Sequence, residues 1–147
     1  MYESLIQSLH ANGLRLMANS FPLTKNYLMR NFKELKIWQK GFQIAINCFK
    51  ITSTFPSQEK YGLISQINRA GVSIPSNIAE GSSRNSDKDY NRFIEISLGS
   101  CFEAETQLLI SKELGFGQSQ LTEETLALLI EEEKMLTAFS RSLLAKS

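Results

Sequence analysis

The part of the chain that most constrains its fold is residues 65–116, where two strongly helical runs meet at a short polar break. Apolar residues recur every three or four positions, which is the spacing that places side chains on one face of an α-helix. Around the first run they are Leu63, Ile64, Ile67, Ala70, Ile74, Ile78 and Ala79. In the second run they are Tyr90, Phe93, Ile94, Leu98, Cys101, Ala104, Leu108 and Leu109. Because no segment shows the alternation typical of a β-strand, the sequence predicts an all-α protein.

Caps and breaks between the apolar runs predict four helices. Pro56 ends the first, because the residue before a proline is pushed away from helical geometry. Ser57 is a candidate N-cap for the second helix, Ser86 begins the third, and Gly115 terminates it. The predicted helices cover residues 32 or 35 to 54, 60 to 83, 86 to 114, and 122 to the C-terminus. Since short connections join antiparallel neighbours, this pattern predicts an up-down-up-down antiparallel four-helix bundle.

The first predicted helix carries two apolar stripes. One stripe is Trp38, Phe42, Ala45, Ile46 and Phe49, and the other is Ile37, Ile44, Cys48, Ile51 and Phe55. A helix at the surface of a domain needs only one such stripe, which faces the core. The sequence therefore predicts that this helix is covered by its own bundle on one side and by something else on the other.

Residues 1–31 differ from the rest of the chain. They contain the turn-forming pair Asn12-Gly13 and sustain no apolar period, a pattern that predicts a poorly ordered or partly helical leader. Met29 is an alternative start for the protein. The predicted four-helix bundle then occupies residues 32–147.

The composition suits one soluble globular domain of almost balanced charge. Hydrophobic residues make up 42% of the 147 residues, and 16 basic and 15 acidic side chains leave a net charge of +1. A dedicated nucleic-acid-binding protein usually carries a clear basic excess. No uninterrupted apolar stretch is long enough to cross a membrane, and no cleavable signal precedes the domain. We therefore expect a cytoplasmic protein without a membrane contact.

The sequence contains none of the common catalytic or metal-binding motifs. Gly-rich phosphate loops, HExxH and GxSxG are absent, and His10 is the only histidine. Cys48 and Cys101 are far apart in apolar helical runs and are expected to be buried thiols. The acidic run of residues 131–133 is expected to be a solvated helix face. These observations predict a protein that is not an enzyme and that needs no cofactor or metal.

A polar face on the second predicted helix is the strongest candidate for a functional surface. Its residues, spaced four, four and three apart on one side of the helix, are Arg69, Ser73, Asn77 and Glu80. On the third helix, Glu103 and Glu105 are available to pair with Arg69. Three interpretations stay open: a solvent-exposed face, an internal hydrogen-bond network, or an interface that sets the register of an oligomer. A ligand site is a further alternative.

Four segments within residues 31–116 carry a family resemblance. They are FKELKIWQKG, FPSQEKYGLISQINRA, SIPSNIAEGSSR and DYNRFIEISLGSCFEAETQLL. They resemble the four-helix-bundle proteins encoded within intervening sequences of bacterial large-subunit ribosomal RNA genes. The resemblance implies a bundle that assembles into a homopentameric barrel. Similar proteins include the accessory variability determinants of diversity-generating retroelements, which are basic pentamers that bind a reverse transcriptase and nucleic acid, whereas this chain is nearly neutral.

Two functions remain as hypotheses. The first is a non-enzymatic homo-oligomeric scaffold that binds a protein partner, and the alternative is an accessory protein that binds nucleic acid through a ring of basic side chains. The candidate nucleic-acid contacts are Lys33, Lys36 and Lys40, and Arg84, Lys88 and Arg92. The members of each trio recur at helical spacing and share a face, although solvated surface charge is the ordinary explanation for either trio.

Overall fold

The computed structural model describes residues 31–146, and every regular element within them is helical. Residues 1–30, which hold most of the predicted leader and the alternative start at Met29, lie outside the described residues. Four α-helices account for most of the described chain, so the all-α prediction is confirmed for this part of it. None of these four helices combines the length and the apolar character of a membrane span.

The first helix, α1 (Lys36–Thr52), follows a short 3-10 helix at Phe32–Glu34. The Asn31 side chain caps that 3-10 turn, since its oxygen accepts a hydrogen bond from the Lys33 amide at 3.3 Å. The predicted first helix is therefore two elements, and the α-helical part ends two residues before the predicted position 54.

The two apolar stripes of α1 have different surroundings. The stripe that faces the interior is Ile37, Ile44, Cys48, Ile51 and Phe55, and all five side chains are buried. In the other stripe, Ala45 is buried and Trp38 is partly buried, whereas Phe42 and Phe49 are about half exposed. α1 thus has one apolar face in the core and a second at the surface.

A second 3-10 helix, Ser57–Tyr61, leads into α2 (Leu63–Ser82). The prediction that Ser57 caps the second helix is wrong, because Ser57 begins the 3-10 turn and Gly62 occupies the N-cap position of α2. Gly62 has no side chain with which to cap the helix. The Glu59 carboxylate accepts the hydrogen bond of the first α2 amide instead, at 3.3 Å.

The third helix, α3 (Asp87–Glu113), has the caps that the sequence predicts. At its start, the Ser86 hydroxyl accepts a hydrogen bond from the Asp89 amide at 3.0 Å. At its end, Gly115 adopts a φ of +72°, which favours glycine. The amides of Gly115 and the next residue turn back to carbonyls of the last helical turn, at 3.0 and 2.8 Å, in a Schellman arrangement.

The fourth helix, α4 (Ser119–Leu144), begins three residues before the predicted start at Thr122. Gln118 is its N-cap residue and makes no side-chain capping bond. Thr122 lies inside the first turn, where its hydroxyl donates a hydrogen bond to the Gln118 carbonyl at 2.9 Å. The Thr122 hydroxyl is therefore engaged with a backbone acceptor within α4.

Each helix packs against two others: α1 against α2 and α4, and α3 against α2 and α4. Polar contacts show the relative direction of α2 and α3. Ser73 of α2 contacts Ser100 of α3 at 2.8 Å. Gln66, which precedes Ser73 in α2, contacts Gln107, which follows Ser100 in α3, at 3.3 Å. Because the partners occur in reverse order, these two helices run in opposite directions.

The buried apolar side chains of all four helices form one cluster. Its fully buried aliphatic members are Ile44, Ile51, Ile67, Ile74, Ile78, Ile94, Leu108, Leu129 and Leu136. Burying such a side chain stabilises a fold by about 1.5–3 kcal/mol. Gly71 permits the close approach of α1 to α2, since a Cβ at this position would lie 2.9 Å from Cys48 Sγ.

Candidate functional site

The predicted polar face has two solvent-exposed ends and a half-buried middle. At one end, Arg69 Nη2 is 3.6 Å from Glu103 Oε1 of α3, and both side chains are exposed. At the other end, Glu80 Oε1 pairs with Arg84 at 2.7 Å, again at the surface. Exposed ion pairs of this kind contribute about 0–1 kcal/mol to stability.

The middle of the same face is a hydrogen-bond network within the chain. Asn77 Nδ2 donates to the carbonyl and hydroxyl oxygens of Ser73, at 2.8 and 2.9 Å. The Ser73 hydroxyl lies 2.8 Å from the hydroxyl of Ser100 on α3. Ser73 and Asn77 are half-buried between the two helices. The Ser73–Ser100 contact therefore ties α2 to α3, and Asn77 bonds to Ser73 within α2.

Glu105 lies apart from this face. Its carboxyl contacts Glu133 of α4, and it forms no ion pair with Arg69. Burial raises the pKa of Glu133, and the charge of Glu105 and a hydrogen bond between the two side chains raise it further. These influences favour a retained proton on Glu133.

The six basic residues considered as nucleic-acid contacts are mostly engaged within the chain. The ion pairs are Lys40 with Glu131, Arg84 with Glu80, and Arg92 with Asp89. Lys33 lies over the Phe32 ring, with 6.0 Å between its ammonium and the ring centre. Among residues 31–146, Lys36 and Lys88 form no ion pair. Neither trio presents a row of uncommitted cations.

An apolar groove of about 320 Å³ lies between α1 and α2. Its lining is Trp38, Phe42, Ala45, Ile46, Phe49, Val72, Pro75, Ser76 and Ala79. Phe42 is 49% exposed, Phe49 50% and Val72 43%. Contiguous exposed apolar patches on soluble proteins commonly mark interaction sites. This surface, called the α1–α2 groove below, contains the outer stripe of α1.

Ring packing fixes the aromatic wall of the groove. The Trp38 ring stacks on Phe42 with 5.2 Å between ring centres, and it meets Phe32 edge to face at 5.3 Å. Such pairs contribute about 0.5–1.5 kcal/mol beyond the burial of their area. Phe42 is therefore held in position although half of its surface is exposed.

The outer side of α3 carries a second exposed apolar surface. Its members, each about half exposed, are Ile96, Phe102, Leu109 and Ile110. The prediction that Leu109 faces the core is wrong, because the core position is taken by Leu108 and the next residue points about 100° away. Since the backbones of α1 and α3 are not adjacent, this outer α3 face and the outer stripe of α1 lie on different sides of the domain.

One residue that sequence reasoning missed is Glu132. The prediction of a solvated acidic run holds for Glu131, which is exposed and pairs with Lys40, and is wrong for Glu132, which is fully buried. Burial raises the pKa of Glu132 to about 8, and the charge of Lys40 opposes this shift. Spacing contained the signal: Glu132 is three residues after Leu129 and four before Leu136, on their core face.

Cys48 and Cys101 are free thiols and both are buried. Burial raises the pKa of Cys48 to about 12. Burial, and after it the neighbouring Glu132 and Glu133 charges, also raise the pKa of Cys101. The described part of the chain brings together no group of three or more His, Cys, Asp or Glu side chains that could hold a metal ion.

Two comparisons with known proteins fit this arrangement. The chain is similar in fold to a crystal structure of a protein of unknown function from the S23 ribosomal protein family of Bacteroides thetaiotaomicron. The TM-score is 0.65 at 22% sequence identity, over 71% of this chain and 97% of that chain. No curated protein matches the sequence. The sequence model of the 23S rRNA-intervening sequence protein family matches residues 33–138, well over half of the 147 residues, and the chain therefore belongs to that family.

Proposed function

We propose that this protein is a non-enzymatic scaffold that assembles from copies of itself through the α1–α2 groove. The observation that carries the proposal is the exposed aromatic lining, in which Phe42 and Phe49 keep 49% and 50% of their surface accessible. Covering such side chains removes apolar surface from water, which drives most protein association. The resemblance to proteins that form homopentameric barrels supports the same assembly.

The two exposed apolar surfaces favour a head-to-tail ring. A contact between the α1–α2 groove of one copy and the outer α3 face of the next joins two different surfaces. Such heterologous contacts close into a ring when the rotation between neighbours permits it. The proposed assembly is a ring of five up-down-up-down four-helix bundles. The contacts between α2 and α3 occur in reverse order, and so do the Asn91–Ser140 and Lys112–Glu123 contacts between α3 and α4, which supports this helix order.

Light scattering on the purified full chain tests the proposal. The wild type is expected at five times the 16.6 kDa of one chain. Phe42→Glu is expected to lower the mass, because each contact would then bury an unpaired charge. Tyr61→Glu is the matched control, since it makes an aromatic-to-acid change at a residue that is 87% exposed and does not line the groove. Circular dichroism checks that both variants keep their helices.

A mixing experiment separates a head-to-tail contact from a two-fold contact. Phe102→Glu disables the outer α3 face and leaves the α1–α2 groove intact. Phe42→Glu disables the groove and leaves the outer α3 face intact. Mixed together, the two variants retain one working contact and are expected to form a heterodimer that cannot grow further. A wild-type monomer would overturn the proposal, and a mixture that remains monomeric would overturn its head-to-tail form.

Nucleic-acid binding is left out of the proposal, because three of the six candidate cations pair with carboxylates of their own chain. Titrating labelled RNA and DNA with the purified protein at two salt concentrations tests whether the protein binds nucleic acid. Binding that weakens steeply with salt would reveal phosphate contacts and would reinstate the accessory-protein hypothesis.

A further inference from the structure

Glu132 is the one acidic side chain that is completely buried among residues 31–146, and the proposed assembly makes no use of it. It lies on the core face of α4 between Leu129 and Leu136, which are also fully buried. Neither of its carboxyl oxygens has a hydrogen-bond partner within the described residues. A buried polar group in this condition requires a physical explanation.

The other three helices surround this carboxyl with neutral groups. On α1, the carboxyl lies beside Gly41, since a Cβ there would be in van der Waals contact with Glu132 Oε1 at 3.5 Å. The same position is bordered by α2, since this Cβ would lie 2.9 Å from Ile74 Cγ2 and 3.4 Å from the Pro75 nitrogen, which carries no hydrogen to donate. On α3, the nearby titratable group is the Cys101 thiol.

The charged neighbours of Glu132 are directed elsewhere. Lys40 of α1 is the nearby cation, but its ammonium group forms an ion pair with Glu131 at the surface. Glu133, the next residue of α4, contacts Glu105 of α3. Glu132 therefore has neither a salt-bridge partner nor solvent to stabilise a negative charge.

An ionised carboxylate in such a place is strongly disfavoured, because it has lost its water and gained no donor. We propose that the folded protein carries Glu132 as a neutral carboxylic acid, so that folding takes up a proton there and stability falls as pH rises through neutrality. Glu132 is then a pH-sensitive element at the centre of the helical core.

The range of this effect follows from the two protonation equilibria. The pKa of Glu132 is about 8 in the folded protein, against an ordinary value of 4.5. The stability contributed by the neutral acid is complete below pH 4.5 and is lost as pH rises towards 8. Over that interval the equilibrium constant for unfolding increases about tenfold per pH unit. Above pH 8 both states have released the proton, and the dependence levels off.

Urea unfolding of the full chain, at constant chain concentration and at a series of pH values across this interval, tests the proposal. Glu132→Gln keeps the size of the side chain and removes its titration. The unfolding constant of the wild type is expected to rise about tenfold per pH unit relative to that of Glu132→Gln. Comparing the two proteins cancels the titrations that they share, including that of Glu133.

Glu124→Gln is the matched control, because it removes an exposed acid of the same helix that bonds to the Gln120 side chain, and it leaves the Lys40–Glu131 ion pair in place. This variant is expected to keep the wild-type dependence between pH 4.5 and pH 8. Parallel pH dependences for the wild type and Glu132→Gln would overturn the proposal.

A measurement on the wild type alone tests the proposal even if Glu132→Gln fails to fold. Carbon NMR of protein labelled at the glutamate carboxyl carbons is expected to show one resonance that titrates near pH 8. Exposed carboxyl groups titrate close to their ordinary values. A spectrum in which every glutamate ionises in the acidic range would overturn the proposal without any substitution.

Discussion

Gly81 and Gly99 occupy helical positions with opposite surroundings. A Cβ at Gly81 of α2 would lie 2.6 Å from Tyr90 Cδ2 and 2.8 Å from Phe93 Cβ, whereas a Cβ at Gly99 of α3 would meet nothing within 4 Å. Gly81→Ala is therefore expected to destabilise the protein by about 1–3 kcal/mol, because a methyl group must displace a buried ring or the α3 backbone. Urea unfolding measures the change.

Gly99→Ala is the control for that substitution. It is expected to stabilise the protein by about 0.5–1 kcal/mol, because alanine loses less backbone freedom than glycine in a helix. Both substitutions are compared in protein that also carries Phe42→Glu, the change expected to weaken assembly. Assembly then makes no contribution to the measured free energies of unfolding. Equal effects at the two positions would show that α2 and α3 are not in close contact at Gly81.

At the scale of single residues, spacing identified the polar face of α2 but not the use of each side chain. Ser73 and Asn77 bond across to α3 or within α2, while Arg69 and Glu80 of the same face are solvated. The difference depends on where α3 crosses α2, and that crossing is a property of packing. For Glu132, the spacing indicated a position in the core, whereas the charge of the side chain indicated a position at the surface.

At the scale of helices, the N-cap of α3 can be tested by substitution. Ser86→Ala removes the hydroxyl oxygen that accepts a hydrogen bond from the Asp89 amide at the start of α3. It is expected to lower the free energy of unfolding by about 0.5–2 kcal/mol. Ser57→Ala is the matched control and is expected to change stability by less than about 0.5 kcal/mol, because Ser57 makes no capping bond to α2. Thermal or urea unfolding distinguishes the two, and equal losses would contradict the assignment of Ser86 as the cap.

The helix ends that the sequence predicted correctly are those with a local cause. Ser86 and Gly115 act through bonds to residues a few positions away, so α3 could be bounded from the sequence. The starts of α2 and α4 were misplaced because a serine or threonine near a helix start has several possible partners. Ser57 enters a 3-10 turn, and Thr122 bonds to the carbonyl four residues earlier, so neither hydroxyl caps an α-helix.

At the scale of the whole molecule, the two thiols report on the opening of the core. Cys48 and Cys101 are buried, and burial raises the pKa of Cys48 to about 12, so little reactive thiolate is present near pH 8. Reaction with a disulfide reagent is expected to be about a hundredfold slower than for an exposed cysteine, or slower still. Both thiols should react together once urea unfolds the protein. Rapid labelling of one thiol in the native protein would contradict its burial.

The fold class was accessible from the sequence, whereas the candidate surface was accessible only in part. Two apolar stripes on α1 indicated that something beyond its own core covers the helix, and the structure shows Phe42 and Phe49 exposed on that side. The wall supplied by Val72 and Pro75 of α2 could not be predicted, because it depends on how α2 lies against α1. Leu109 was misassigned because adjacent leucines leave the direction of the face ambiguous.

The sequence by itself determined that four amphipathic helices form and which residues dominate their core, because helical periodicity and local capping act over a few residues. The segments that carry the family resemblance also lie in the sequence itself. Only the tertiary structure decided which apolar stripe of α1 is buried, how the polar face of α2 is divided, and that Glu132 lies in the core without a partner. Those outcomes depend on contacts between residues far apart in the chain, which no local pattern encodes.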